Sequence, residues 1–202
     1  MNLPTPEQCL NLFQDYQVPS HIREHCLNVR DLSLFLAQKL KEKGVSINLQ
    51  LVECLALLHD LFKMVSLESL KPTKFHSFVF SPEEASMWQQ LRERFPGLHE
   101  GEVAYQIFKE DYPELALALK SLSQPQENKS WEEALVHYAD WRVFQNIVVT
   151  LDHRLAYLKE AYPQKDGAWQ EDEKIVKLIE KKIFNHLDFE PTKLSEEFKN
   201  HG

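Results

Sequence analysis

The chain has 202 residues, 43% hydrophobic and 27% charged, an ordinary globular composition with room for one sizeable core. A formal net charge of −8 argues against non-specific binding to nucleic acid or an anionic membrane, both of which need a basic face, and favours a small-molecule or protein partner. No apolar run reaches the roughly 18 to 20 residues of a membrane span, and "MNLPTPEQCL" lacks the basic and apolar blocks of a signal peptide, so a cytoplasmic protein is expected.

Helical periodicity dominates the chain. "TPEQCLNLFQDY" opens with Thr5 as N-cap and Pro6 at the first helical position. After Pro19, Leu27, Leu32, Leu34, Leu36 and Leu40 carry an apolar stripe to Gly44, a helix stop. Asn48 caps the next helix, which is apolar nearly all round in "LVECLALLHDLFK" and is therefore expected to be central and to run through His59 and Asp60. From Lys71 to Phe80 the pattern fades into a predicted loop. "SPEE" at 81–84 is a capping box with Pro at the first turn, and "FPG" at 95–97 ends that helix. Further helices are expected from about His99 to Glu110 and from Pro113 through Leu122, followed by the polar loop "SQPQENKS". Ser130 and Glu133 form another capping box before "WEEALVHYADW"; the β-branched "NIVVT" loosens that helix, and Leu151, Leu155 and Leu158 resume it. Residues 171–187 form an amphipathic helix. The expectation is an all-α bundle of about nine helices, without repeats or strands, as one domain over residues 1–202.

Several chemistries are closed off. Cys9, Cys26 and Cys54 are odd in number and form no CxxC, so they are expected as small buried residues rather than in a disulfide or thiolate site. The five glycines form neither GxGxxG nor a P-loop, so a bound phosphate would have to be held by a metal or by Lys and Arg side chains. G-x-S-x-G is missing too.

Asp60 is flanked by Leu57, Leu58 and Leu61, and a lone carboxylate buried there would cost several kcal/mol, so something cationic must face it. A divalent metal shared with His59 satisfies both side chains; a backbone bond for His59 and a Lys63 pair for Asp60 would also do so. His25 lies near the start of an earlier helix and Asp140 inside a later one. The ordered set His25, His59-Asp60, Asp140, in the contexts "HIREHCLNVRDLSLFLA", "ALLHDLFK" and "HYADWRV", resembles the HD-domain metal-dependent phosphohydrolase superfamily, over roughly residues 18–160, with 165–202 as a C-terminal helical extension.

The resemblance implies a metal held between helices by His25, His59, Asp60 and Asp140. The ligand set suits Mn, Fe, Co, Ni or Zn, with Mg open if waters complete the shell. Such a metal lowers the pKa of a bound water and polarises a phosphoryl oxygen. Asp60 would help orient the water. Lys63 is at a position where some relatives have a lysine thought to contact substrate phosphate and others a glutamate proposed to polarise water; a salt bridge from Lys63 to a ligand carboxylate is the alternative. His99 resembles the third histidine of binuclear relatives, which include enzymes cleaving diadenosine polyphosphates and cyclic dinucleotides, but Ser121 and Ser123 stand where a further histidine would follow. One metal is therefore expected, with His99 lining the pocket as proton donor or second-site ligand.

Arg142 and Arg154 are candidate phosphate contacts, since Arg binds phosphate bidentately. His137, three residues before Asp140, would be a ligand, a support to one, or partly exposed. His21, His76, His153 and His186 are assigned to solvent or local bonds, and Lys174, Lys177, Lys181 and Lys182 to a solvated face. The implied activity is hydrolysis of a soluble phosphate ester or anhydride, of the nucleotide class. A module that binds metal and senses a nucleotide without turnover, and a helical interaction protein, are the competing readings.

Overall fold

The computed structural model describes residues 1–67, 79–124, 129–162 and 166–201. His76 and most of the predicted 71–80 loop lie outside them, as do residues 125–128 of "SQPQENKS".

The chain folds as helices around α3 (Leu49–Leu58), as its apolar circumference requires: Leu51, Val52 and the whole run Cys54 to Leu58 are buried. Each Leu or Val buried there contributes about 1.5–3 kcal/mol relative to exposure. Around α3 pack α1 (Pro6–Asp15), α2 (Ser20–Glu42), α7 (Pro113–Leu122) and α8 (Trp131–Arg142). Helices α5 (Pro82–Arg94) and α6 (Glu100–Phe108) meet the short α4 (Lys63–Ser66), while α10 (Asp166–Phe184) packs on α8 and on α9 (Leu151–Ala161). The last helix, α11 (Leu194–His201), returns to α2. The buried apolar cluster runs from Cys9 to Leu194. All three cysteines are buried and free, and no described helix is long and apolar enough to cross a membrane.

The predicted helix starts form as read. Ser81 and Ser130 each accept, at the side chain, from the backbone N–H three residues on and donate their own backbone N–H to the Glu84 and Glu133 carboxylates, and Thr5 and Asn48 also cap their helices. Two readings are corrected. The central helix ends at Leu58, and His59 to Phe62 form a turn before α4, held by Leu61 N–H to Leu58 C=O and Lys63 N–H to Asp60 C=O. The "NIVVT" region ends α8 outright. Val143–Phe144 (β1) and Ile147–Val148 (β2) form a small antiparallel hairpin whose turn residues Gln145 and Asn146 have φ of 47° and 66°. That backbone is the primed turn a two-residue hairpin needs, reached here without glycine; Asn146 is tied to Glu24 and Asn28 on α2.

At the α6–α7 contact a Cβ on Gly101 would collide with the Ser123 side chain, so glycine at this position permits the close approach that brings α7 to the cleft beside α3.

Candidate metal centre

Three elements deliver the site. His25 comes from the second turn of α2, His59 and Asp60 from the turn after α3, and Asp140 from the last turn of α8. Both α2 and α8 pack on α3, so a pair of helix contacts fixes the convergence.

Asp140 Oδ1 lies 2.9 Å from His25 Nε2 and 3.8 Å from His59 Nε2. Asp60 Oδ2 lies 3.9 Å from His59 Nε2 and 4.0 Å from His25 Nε2. Atoms bound about 2.1 Å from one centre stand roughly 3 to 4 Å apart, so the His25, His59 and Asp60 atoms fit one shared cation, with Asp140 bonded to His25 beside them. His25, His59 and Asp60 offer ligand atoms all within 4.8 Å of one another.

The donor chemistry points the same way. His59 Nδ1 is 2.7 Å from the Ala56 carbonyl, which fixes it as the N–H. Nε2 is then the nitrogen that faces the cluster, and it is buried without a hydrogen-bond partner. A buried nitrogen facing two carboxylates takes either a proton or a metal cation between them, and a backbone-anchored imidazole is how metal-binding histidines are oriented.

Charge coupling inside the cluster is strong. Burial resists charge on His59, but Asp60, Cys26 and Asp140 outweigh it and raise its pKa well above the usual value. Burial also opposes ionisation of Asp140, yet its bond to His25 and the neighbouring His59 hold it well below the carboxylate range. Asp60 is likewise lowered against the effect of burial, by Lys63 and then His59. The site therefore keeps both carboxylates ionised, the form a metal requires.

Lys63 fulfils one expectation and qualifies the other. Its Nζ donates to Asp60 Oδ1 at 3.3 Å and to Glu100 Oε1 at 3.1 Å, and Asp60, ahead of Glu100, raises its pKa. The side chain is nonetheless 41% exposed and lines the cleft. Glu100 has no sequence signal: it follows His99 in no recognisable metal or catalytic pattern. The structure buries it at the start of α6, its N–H donating to Ser66 Oγ at 2.7 Å and its Oε2 lacking a hydrogen bond.

Three other assignments change or narrow. Arg142 is not a phosphate contact. It is 2% exposed and donates to the carbonyls of Val149 and Pro191, to the Tyr138 hydroxyl and to Glu180, all away from the cleft. His99 caps α6, accepting from Gly101 N–H, with its Nε2 3.5 Å from Glu100 Oε2; it is half exposed, and its bonds go to these neighbours rather than to the four convergent residues. His137 lines the cleft, its Nε2 buried without a partner, and stands outside the metal-capable group. Arg154 does reach the cleft, stacked over Phe144 and Tyr157.

The cleft beside the centre holds about 290 Å³ and takes in His59, Asp60, Lys63, Glu100 and Asp140. A family model described as HD domain matches residues 22–142, the stretch that carries all four convergent residues. Comparison with curated proteins and with solved structures gave no match.

Proposed function

The chain belongs to the HD-domain family, and from that membership we propose that it is a metal-dependent phosphohydrolase acting on a soluble phosphate ester or anhydride of the nucleotide class. The observation that carries the reading is the buried, partnerless Nε2 of His59 facing Asp60 and Asp140. His25, His59, Asp60 and Asp140 would hold one divalent cation. Bound there, the cation would supply Lewis-acid polarisation of a phosphoryl oxygen and an acidified water.

The chain's own residues do the rest. The Lys63 ammonium, held by Asp60 and Glu100 with part of its side chain exposed, presents a fixed positive charge to the substrate phosphate. Arg154 supplies a second one from α9. Together they give an acidic protein the local attraction that an anionic substrate needs. Asp60 would accept hydrogen bonds that orient water at the centre, and the half-exposed His99, whose Nε2 lies 3.5 Å from Glu100 Oε2, would donate a proton to a departing group although it does not itself line the cleft.

The test is metal analysis of the purified protein joined to phosphate release from a nucleotide panel with Mn, Co, Mg or Ni. About one equivalent of metal and phosphate release that Asp140→Ala abolishes in a folded protein are expected. Metal and nucleotide bound without phosphate release would replace the enzyme with a sensing module. Absence of metal binding would remove both.

A further inference from the structure

One wall of the cleft is made by residues the family match does not reach. Arg154 and Leu158 of α9 and Trp169, Asp172 and Ile175 of α10 all line it, and all lie beyond residue 142, where the match ends. They face a lining that also includes Leu119, Leu122 and Trp141. A phosphate, a metal and water need no such surface. An apolar and aromatic lining beside a phosphate-binding centre accommodates an organic group attached to that phosphate.

Trp169 narrows the group's chemistry. Its indole N–H donates to the Tyr162 carbonyl at 3.2 Å, and its ring meets Trp141 at 6.3 Å between centroids with planes 80° apart. The ring plane is thus fixed from two sides, while the side chain is only partly buried and borders the cleft. A preset aromatic face is a stacking platform for a planar ring, and every nucleobase has such a face. Asp172, one turn along α10, adds a negative charge to the same wall, which repels further phosphate. At about 290 Å³ the cleft is at the small end of ligand pockets and holds one nucleoside rather than two.

We propose that the α9–α10 wall is a nucleobase subsite, in which Trp169 stacks on the base, and that it suits a substrate of nucleoside monophosphate size. The subsite rests on the phosphohydrolase reading only for what happens at the phosphate end. Selectivity then resides in the C-terminal helices, while the centre from α2, the turn after α3 and α8 is indifferent to the organic group.

Two measurements test it. Adenosine and guanosine, which carry no phosphate, are titrated against the wild type, Trp169→Phe and Trp169→Ala and followed by ligand-observed NMR. Saturable binding is expected, kept by Trp169→Phe and weakened about tenfold by Trp169→Ala. No saturable binding, or equal binding by Trp169→Ala, overturns the subsite. Second, kcat/KM is compared for nucleoside 5′-monophosphates and ribose 5-phosphate. The ratio is expected to favour the nucleotide by about tenfold or more and to collapse toward unity in Trp169→Ala. A wild-type ratio near unity, or one that Trp169→Ala leaves in place, overturns it. Nucleoside binding that follows the expected pattern while no phosphate is released from any substrate would sink the phosphohydrolase reading and leave the subsite standing.

Discussion

The Lys63 ammonium bridges Asp60 Oδ1 and Glu100 Oε1 at 3.3 and 3.1 Å, so a residue of the metal centre shares its charge with a cation supplied by the protein. Removing that cation as Lys63→Met leaves two carboxylates facing each other and makes the centre more negative. Divalent-metal affinity is expected to rise by about tenfold while kcat/KM for phosphate release falls by about a hundredfold, since the charge that meets the substrate has gone. Glu100→Gln works in the other direction, releasing Lys63 wholly to Asp60 and weakening metal binding. Calorimetric metal titration alongside phosphate release checks both; parallel losses of affinity and turnover in Lys63→Met would mean that Lys63 acts only as scaffolding for Asp60.

A second prediction follows from the nitrogen on the opposite side of Asp60. His59 Nε2 has no partner in the protein alone, so metal binding supplies its missing interaction and stabilises the fold by mass action. Thermal unfolding of the wild type is expected to shift upward by several degrees with about millimolar Mn or Zn and to return with chelator, whereas His59→Ala shows little shift. A full shift surviving in His59→Ala would place the cation elsewhere.

The candidate residues were legible as an ordered set, His25, His59-Asp60 and Asp140, whose order and spacing resemble a family signature although each string alone is weak. The helix starts were legible locally, since the Ser81 and Ser130 capping boxes are complete within four residues of sequence. What sequence could not supply was partnership over distance. Glu100 pairs with Lys63 across 37 positions, and nothing near Glu100 distinguishes it from a solvated acid. The end of α3 at Leu58 was hidden because apolar residues continue through Leu61 and Phe62, which are buried from a turn as well as they would be from a helix. The hairpin at 143–148 was missed because Gln145-Asn146 lacks the glycine that normally marks a primed turn.

Arg142 shows how the same residue type can read as a site and serve as a strut. Its guanidinium ties α8 to Glu180 on α10 and to the carbonyls of Val149 and Pro191, with the Tyr138 hydroxyl between. Truncation leaves the buried Val149 carbonyl unsatisfied and strips the part-buried Glu180 of its cation, so Arg142→Ala is expected to lose about 3 kcal/mol of stability. Arg154→Ala, at a solvent-facing stack, is expected to lose under about 1 kcal/mol while lowering kcat/KM. Denaturant unfolding compared with kinetics separates the two; an Arg142→Ala protein of native stability with impaired catalysis would return Arg142 to the substrate.

His137 sets a pH dependence of the fold. Burial, followed by repulsion from Lys129, lowers its pKa from 6.5 to about 4. The unfolded chain therefore takes up this proton near pH 6.5 while the folded chain refuses it until about pH 4. The contribution to stability is complete above pH 6.5, shrinks as pH falls, and levels off below about pH 4. Lowering a pKa tenfold in proton affinity corresponds to about 1.4 kcal/mol, but the ring borders a hydrated cleft, so a loss of about 1 to 2 kcal/mol is the appropriate size. Glutamine keeps the polarity and cannot titrate. In chelator, urea unfolding of His137→Gln against the wild type is expected to show the wild type losing its advantage between about pH 7 and 4, whereas parallel stability curves across that range would mean that His137 accepts its proton in the folded protein as readily as in the unfolded chain.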